Sequence, residues 1–337
     1  MITPFDLSQF KPCERRLSIF APISIGNVSV GFDSLGMALT PISSGQYKKD
    51  QNLIGDIVHI QASANNQDSL SHQGSYQHIL PDDFKDNIVW QALVNFNKAF
   101  AFRNGKSVKV DLVLEKNIPI SSGLGSSSCS IVAALVALNK FYSEPFSNDE
   151  LLVMMGELEG VITGSPHYDN VAPCYLGGLQ LMLSEDSKKV CQSLPTFEEC
   201  YWVIAYPDIE VSTRVAREIL PKSYSMPDVV RSCQNIAGFV DACYRQDKSQ
   251  AFALLNDVIA EPYRLSLLPN FSSVKQSLLE ANCLSVGISG SGPTIFAVTD
   301  SLENAKQAKI IMCEKYAIVA KSIVEICEVD QLGARLI

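Results

Sequence analysis

Residues 119 to 135 read PISSGLGSSSCSIVAAL, in which the seven consecutive positions Ser122 to Ser128 are Gly, Ser and a single Leu. A structural turn needs one or two such residues. Ahead of the stretch, Val108, Val110, Leu112 and Leu114 alternate with Lys109, Asp111 and Glu115, the period-2 pattern of a strand. Behind it, Ile131 to Leu138 is almost wholly apolar and rich in Ala and Leu, with Asn139 and Lys140 at its end, which suits a buried helix. The loop therefore joins a strand to a helix N-terminus, where unpaired backbone N–H groups gather about half a positive charge. Glycine lets a phosphate approach such a backbone closely, so the stretch reads as an anion cradle. A flexible connector capped by Ser126 is the competing reading.

Two other phosphate loops fail on spacing. A Walker A loop needs G-x-x-x-x-G-K-[ST]; Gly105, Lys106 and Ser107 supply its tail, but Phe100 stands at the first Gly. A dinucleotide fingerprint needs G-x-G-x-x-G, and Ser128 stands at the third Gly after Gly123 and Gly125.

A length of 337 residues predicts about two domains, and 47% hydrophobic with 19% charged residues predicts a globular chain. The formal net charge of −9 argues against a nucleic-acid or membrane-surface partner. The start, MITPFDLSQFKPCERR, lacks the basic and apolar blocks of a secretory signal, and no apolar run is long enough for a membrane span. Ten cysteines are scattered without a C-x-x-C pair, so they are expected to be reduced thiols of a cytoplasmic protein. The four histidines show no metal-ligand spacing.

Along the chain, residues 61 to 78 are polar enough to predict an exposed loop, and Ser147-Asn148-Asp149-Glu150 is a capping box that opens a helix. The texture changes around Gly177 and Gly178, and YWVIAY at 201 to 206 starts a second set of elements, so the boundary falls between 180 and 200. Strands are expected at 285–288, 294–298 and 323–328, with helices after Ser212, through 229–281 and after Ser301. A sheet covered by helices is the expected build of each half.

Five constellations could carry chemistry. APISIGNVSVGFDSLGMAL, residues 21 to 39, sets Asn27 and Asp33 among Gly26, Gly31 and Gly36, although an Asx-turn would explain such an Asp. Glu157 and Glu159 follow the uncharged LLVMMG, so at least one carboxylate is expected against protein, where a cation such as magnesium would compensate it. Spacing does not choose between the two. GSPHYDNVAPCYLGG, residues 164 to 178, is dense in His167, Asp169 and Asn170, residues that also form turns. In YPDIEVSTRVAREIL, Ser212 is an expected N-cap, with Thr213 and Arg217 on one helix face suited to an anion and Arg214 a surface partner for Glu218. SVGISGSGPTIFAV, residues 285 to 298, carries Gly287, Gly290 and Gly292, more glycine than a hairpin needs, so another chain segment or a ligand is expected against it.

The three glycine-marked segments resemble, in order and spacing, the three motifs of the GHMP kinases, the superfamily of galactokinase, homoserine kinase, mevalonate kinase and phosphomevalonate kinase. The likeness runs from about Leu17 to Arg335. Within the superfamily it is strongest to the homoserine kinase branch, through HYDNVAP and EPYR. The resemblance implies an α+β fold of two domains: an N-terminal domain like the second domain of ribosomal protein S5, residues 16–190, and a ferredoxin-like C-terminal domain, residues 191–337. Residues 1–15 are an extension before the usual start.

The resemblance also implies roles. Pro119, Ile120, Ser121, Ser122, Gly123, Leu124, Gly125, Ser126, Ser127, Ser128 and Cys129 would wrap the phosphates of ATP, and Asn87 would lie on the adenine side. Ser127 and Glu157 would hold Mg2+, so the resemblance prefers Glu157 to Glu159. Asn27, Asp33, His167, Asn170, Thr213, Arg217 and Arg264 would surround L-homoserine, with the arginines on its carboxylate and Asp33 on its amino group. Gly290 and Gly292 would support the phosphate loop. A homodimer fits the family. Ile23, Ile25, Gly26 and Ser128 depart from the usual motif residues without removing a polar group. Two alternatives stand beside this reading, a GHMP kinase for another small alcohol and a non-catalytic nucleotide sensor. Serine hydrolysis lacks a G-x-S-x-G elbow.

Overall fold

A computed structural model describes residues 13, 15–42, 53–103, 107–163 and 166–337. The expected extension therefore lies almost wholly outside the described residues, as do Gly105 and Lys106.

The first half is a sheet with helices on one face. Its strands are β1 (Leu17–Gly26), β2 (Leu35–Pro41), β3 (Gly55–Ala62), β4 (Ser69–Gln73) and β5 (Val110–Glu115). Its helices are α1 (Ile88–Phe102), α2 (Ser126–Phe141), α3 (Asn148–Thr163) and α4 (Val171–Leu176). The strand expected before the glycine-rich loop is β5, whose Val110, Leu112 and Leu114 point inward. Residues 61 to 78, expected as a loop, contain β4, which runs parallel to β5 with Leu70 opposite Leu112. The polar sequence misled because β4 is a sheet edge: Ser69, Ser71 and Gln73 face solvent, and Ser69 and Gln73 donate to Asp111 and Glu115 across the ladder.

Helix α2 is the axis of this half. From Ser128 to Asn139 every residue is buried, the apolar run Ile131 to Leu138 included. It does not begin on a serine cap. The N-cap is Gly125, in the left-handed region at φ 65°, and Ser126 instead donates from its hydroxyl to the Ile118 carbonyl.

The chain continues through β6 (Leu179–Met182) and β7 (Cys191–Leu194) into β8 (Tyr201–Tyr206), α5 (Thr213–Glu218), α6 (Met226–Arg245), α7 (Lys248–Ala253), α8 (Glu261–Arg264) and α9 (Phe271–Glu280). It ends with β9 (Ser285–Ile288), β10 (Ile295–Thr299), α10 (Leu302–Lys315), β11 (Ile323–Val329) and β12 (Arg335–Leu336). Strands β8 to β11 lie in the order β11-β8-β10-β9, the ferredoxin-like arrangement of a βαββαβ chain. Their period-2 alternation divides two cores. Val203, Ala205, Ile295 and Ala297 meet α9 and α10 through Phe271, Val274, Leu278, Ala308 and Met312. Trp202, Ile204, Phe296 and Val298 belong to the core that includes the first half, with Phe239 and Phe252 of α6 and α7.

The two halves share one sheet. β1 pairs with β3 through Leu17–Pro22 and with β2 through Ile23–Gly26, and β2 pairs with β11. This junction brings the end of β1, the start of α2 and the β9–β10 turn to one place. All ten cysteines are free thiols.

Candidate active site

A pocket of about 280 Å³ opens at that junction. One wall is the loop between β5 and α2, represented by Ile120, Ser121, Ser122, Gly123, Gly125, Ser126 and Ser127. The loop is fastened from behind by the β9–β10 turn. Ser289 donates from its hydroxyl to the Gly123 carbonyl at 2.5 Å, while the Thr294 hydroxyl and amide both donate to the Ser122 carbonyl, at 2.7 and 3.1 Å. Gly123 has φ +81°, and a Cβ there would stand 2.7 Å from the Ser289 oxygen. The expectation that a chain segment lies against the glycines of 285–298 is met by this contact. Of the loop residues named from sequence, Pro119, Leu124, Ser128 and Cys129 do not line the pocket; Leu124 and Cys129 are core, the thiol donating to the Pro22 carbonyl.

The opposite wall is built from the turn after β1. Asn27, Val28 and Ser29 are all left-handed, with φ of 67°, 43° and 59°, and Asp33 follows at 54°. Such backbone costs about 1–3 kcal/mol per residue and persists only when surrounding contacts fix it. Here Asn27 does the fixing: its Nδ2 donates to the Gly290 carbonyl at 3.1 Å and its Oδ1 accepts from the Asp33 amide at 2.9 Å. The Gly290 amide donates back to the Gly26 carbonyl at 3.0 Å. Asp33 is more than an Asx-turn former, because its carboxylate accepts two hydrogen bonds from Arg217 of α5, at 2.8 and 2.9 Å.

Arg264 of α8 is buried and donates to the carbonyls of Ala216 and Gly290, so it braces α5 against the β9–β10 turn. Both guanidinium groups stand over the Phe32 ring, at 5.6 Å for Arg217 and 5.5 Å for Arg264. His167, Asn170 and Thr213 complete this end of the pocket. Burial lowers the His167 pKa, with Arg217 adding to the fall and Asp33 opposing it. Gly292 is outside the pocket, and Gly290 lines it.

The structure corrects the choice between the two glutamates. Glu159 is buried in the pocket wall and accepts from the Ser127 hydroxyl at 2.7 Å, whereas Glu157 is exposed and lines no part of the pocket. Helical geometry explains it. Leu152, Met155 and Glu159 fall on the inward face, while Val153, Glu157 and Val161 form an exposed stripe at four-residue spacing. The burial of Leu151, Leu152, Met155 and Leu158 continues at Glu159, so the apolar pattern of LLVMMGELEG held the signal. Burial raises the Glu159 pKa, opposed by hydrogen bonds from Ser127 and Ser128 and by the charge of Lys116.

Three further residues line the pocket without a role assigned from sequence, although Asp169 is noted there beside His167 and Asn170. Asp169 is buried in the pocket beside Asn170, which donates to it at 3.3 Å. Burial, with the charges of Asp33 and Glu159, pushes its pKa up to about 7. A Cβ on Gly26 would lie 2.5 Å from the Asp169 carboxylate, which explains why that strand end is glycine. Lys116, buried beneath α2, and Ser130 also line the pocket. Asn87 lines the far end, caps α1 by accepting from the Val89 amide at 2.9 Å, and has its Nδ2 3.2 Å from His72 Nε2.

Residues 87–178 match the model of the GHMP kinases N terminal domain, and residues 239–318 match that of the GHMP kinases C terminal domain. A homoserine kinase of Buchnera aphidicola subsp. Acyrthosiphon pisum (strain Tuc7) is 45% identical over 321 residues, covering 95% of this chain and 99% of the relative. The chain belongs to the GHMP kinases. Among solved structures of GHMP kinases, homoserine kinase from Cytophaga hutchinsonii ATCC 33406 superposes with a TM-score of 0.85 at 32% identity, covering 97% of this chain and 99% of the other. A mevalonate kinase from L. major, solved with R-mevalonate, shares the fold alone, with a TM-score of 0.68 at 15% identity over 95% and 98% of the two chains. The α+β, ferredoxin-like expectation agrees with this GHMP kinase architecture. As a member of the family the chain is an ATP-dependent kinase.

Proposed function

We propose that this GHMP kinase transfers the γ-phosphoryl group of ATP to the side-chain hydroxyl of L-homoserine, giving O-phospho-L-homoserine for threonine biosynthesis in the cytoplasm. The observation that carries the reading is the Asp33–Arg217 pair, with Arg264 beside it, facing the phosphate loop across one pocket. A free amino acid offers an ammonium and a carboxylate on one carbon. Asp33 complements the first, and Arg217 and Arg264 the second. Gripped at that end, the substrate would direct its side chain toward the N-terminus of α2, with His167, Asn170 and Thr213 supplying polar contacts. The relatives named homoserine kinase support the same choice over another small alcohol.

Phosphoryl transfer depends mainly on alignment and on stabilising charge at the transferred group. The loop amides and the α2 N-terminus would bind the phosphates, and Asn87 would lie at the nucleoside end. The donor set also fits magnesium. Ser127 Oγ and the Glu159 carboxylate, 2.7 Å apart, are hard oxygen donors at the pocket wall, and a buried carboxylate is stabilised by a cation. Among the described residues no group of three His, Cys, Asp or Glu side chains forms a closed metal cage. Mg2+ held by Ser127 and Glu159 would neutralise phosphate charge in the bound nucleotide.

The test is ADP release by the purified protein with Mg-ATP and homoserine, run beside threonine, serine, mevalonate and galactose. Turnover with homoserine alone supports the proposal. Turnover with another alcohol, or nucleotide binding without turnover on any of them, overturns it.

A further inference from the structure

Beneath the first turn of α2 lies an ion pair that the reaction as described does not use. Lys116 follows β5, and its side chain is 2% exposed; Asp56 of β3 is 0% exposed. The ammonium donates to Asp56 Oδ2 at 2.5 Å, to the Ser126 carbonyl at 2.8 Å and to Ser130 Oγ at 3.1 Å. An ammonium has three protons, so its donors are fully used within the protein. It is therefore unlike a Walker-type lysine, which reaches out to the phosphates.

The carboxylate is equally occupied. Asp56 Oδ2 also accepts from the Ser130 hydroxyl at 2.6 Å, and Oδ1 accepts from the amides of Asn117 and Ile118 at 2.9 and 3.3 Å. One pair of charges thus ties β3, the chain leaving β5, and the residues Ser126 and Ser130 on either side of Ser127. It is also oriented: Lys116 lines the pocket, and Asp56 lies behind it.

A buried ion pair is seldom a source of net stability, since apolar residues of similar size often serve as well or better. A role in the fold alone explains this arrangement poorly. We infer that Lys116 and Asp56 are positioning residues for the phosphate site: they fix the first turn of α2, and with it the aim of the loop amides and of Ser127 Oγ, without touching the nucleotide. This rests on the proposed binding of nucleotide phosphates at that turn.

The experiment compares wild type with the Asp56→Asn, Lys116→Met double variant, which removes both charges and leaves neither stranded. Melting is followed without ligand and with MgADP, and MgADP affinity is measured by calorimetry. The expected result is an unliganded melting temperature close to wild type, MgADP binding roughly tenfold weaker or worse, and loss of the MgADP-induced shift. Homoserine KM should stay within about twofold, because the Asp33–Arg217 end is untouched. A lower melting temperature with MgADP affinity preserved would assign the pair to the fold and overturn the inference. If wild type itself bound no MgADP, the nucleotide reading would fail instead. Should the double variant not fold, Ser130→Ala, which removes one partner of each ion, makes the same comparison with about a threefold loss expected; unchanged MgADP affinity there overturns the inference.

Discussion

Arg217 of α5 holds both oxygens of Asp33 from a single nitrogen, at 2.8 and 2.9 Å, joining residues 184 positions apart in the chain. The pair is about one-third exposed on each side, so it is a poor contributor to stability and a good candidate for ligand exchange. Asp33→Asn should therefore change substrate binding more than chemistry. Steady-state kinetics are expected to show the homoserine KM rising roughly tenfold or more with kcat within a few-fold of wild type. A fall in kcat of about 10² or more at unchanged KM would instead make Asp33 a general base and sink the holding role.

Glu159 and Glu157 offer an internal control, two residues apart on one helix and on opposite faces. Glu159→Gln keeps the shape and removes the charge beside Ser127, so kcat is expected to fall roughly 10²-fold or more. Glu157→Gln alters an exposed residue and should leave kcat and stability near wild type. Equal effects of the two substitutions on kcat would refute the proposed role of Glu159 in holding magnesium.

Much of this site was legible in sequence because its parts are local. The loop before α2 announced itself by glycine and serine between a period-2 and an apolar helical segment, and the turn after β1 by glycines around Asn27 and Asp33. What could not be read was pairing across the fold. Lys116 looks like one more charge at a strand end, and only the closure of β3 beside β5 brings Asp56 to it. Asp169 looks like a turn former, and its burial follows from the close approach of Gly26. β4 was missed because edge strands need no apolar alternation. Spacing leaves Glu157 and Glu159 open and the resemblance prefers Glu157; the burial of α3 is what separates them.

Backbone conformation at the loop before α2 predicts a graded response to added methyl groups. Gly123→Ala would force a Cβ within 2.8 Å of the Gly292 carbonyl oxygen as well as Ser289, at φ +81°. The cost should be about 1–3 kcal/mol, since backbone oxygens do not yield cheaply. A lower melting temperature and an MgATP KM raised several-fold are expected together, because the same contact holds the loop. Gly290→Ala has φ +55° and its nearest neighbour at 3.7 Å, so it should be the milder of the two. The reverse order of severity in melting curves would contradict this account of how the β9–β10 turn supports the loop.

Asp169 carries the clearest pH dependence. Burial and the neighbouring carboxylates raise its pKa from the ordinary 3.8 to about 7, so between those values the folded chain keeps a proton that the unfolded chain releases. Stability from this group is then fully present below about pH 4 and is lost as pH rises toward 7, the opposite of an ion-paired aspartate. Asp169→Asn supplies a permanently neutral side chain of the same shape. In melts of the ligand-free protein, the variant should exceed wild type by roughly 3 °C or more at pH 8, and the gap should close toward pH 4. Parallel pH profiles for the two proteins would mean that Asp169 is ionised in the folded state throughout, with a cationic partner inside the pocket that offsets its burial.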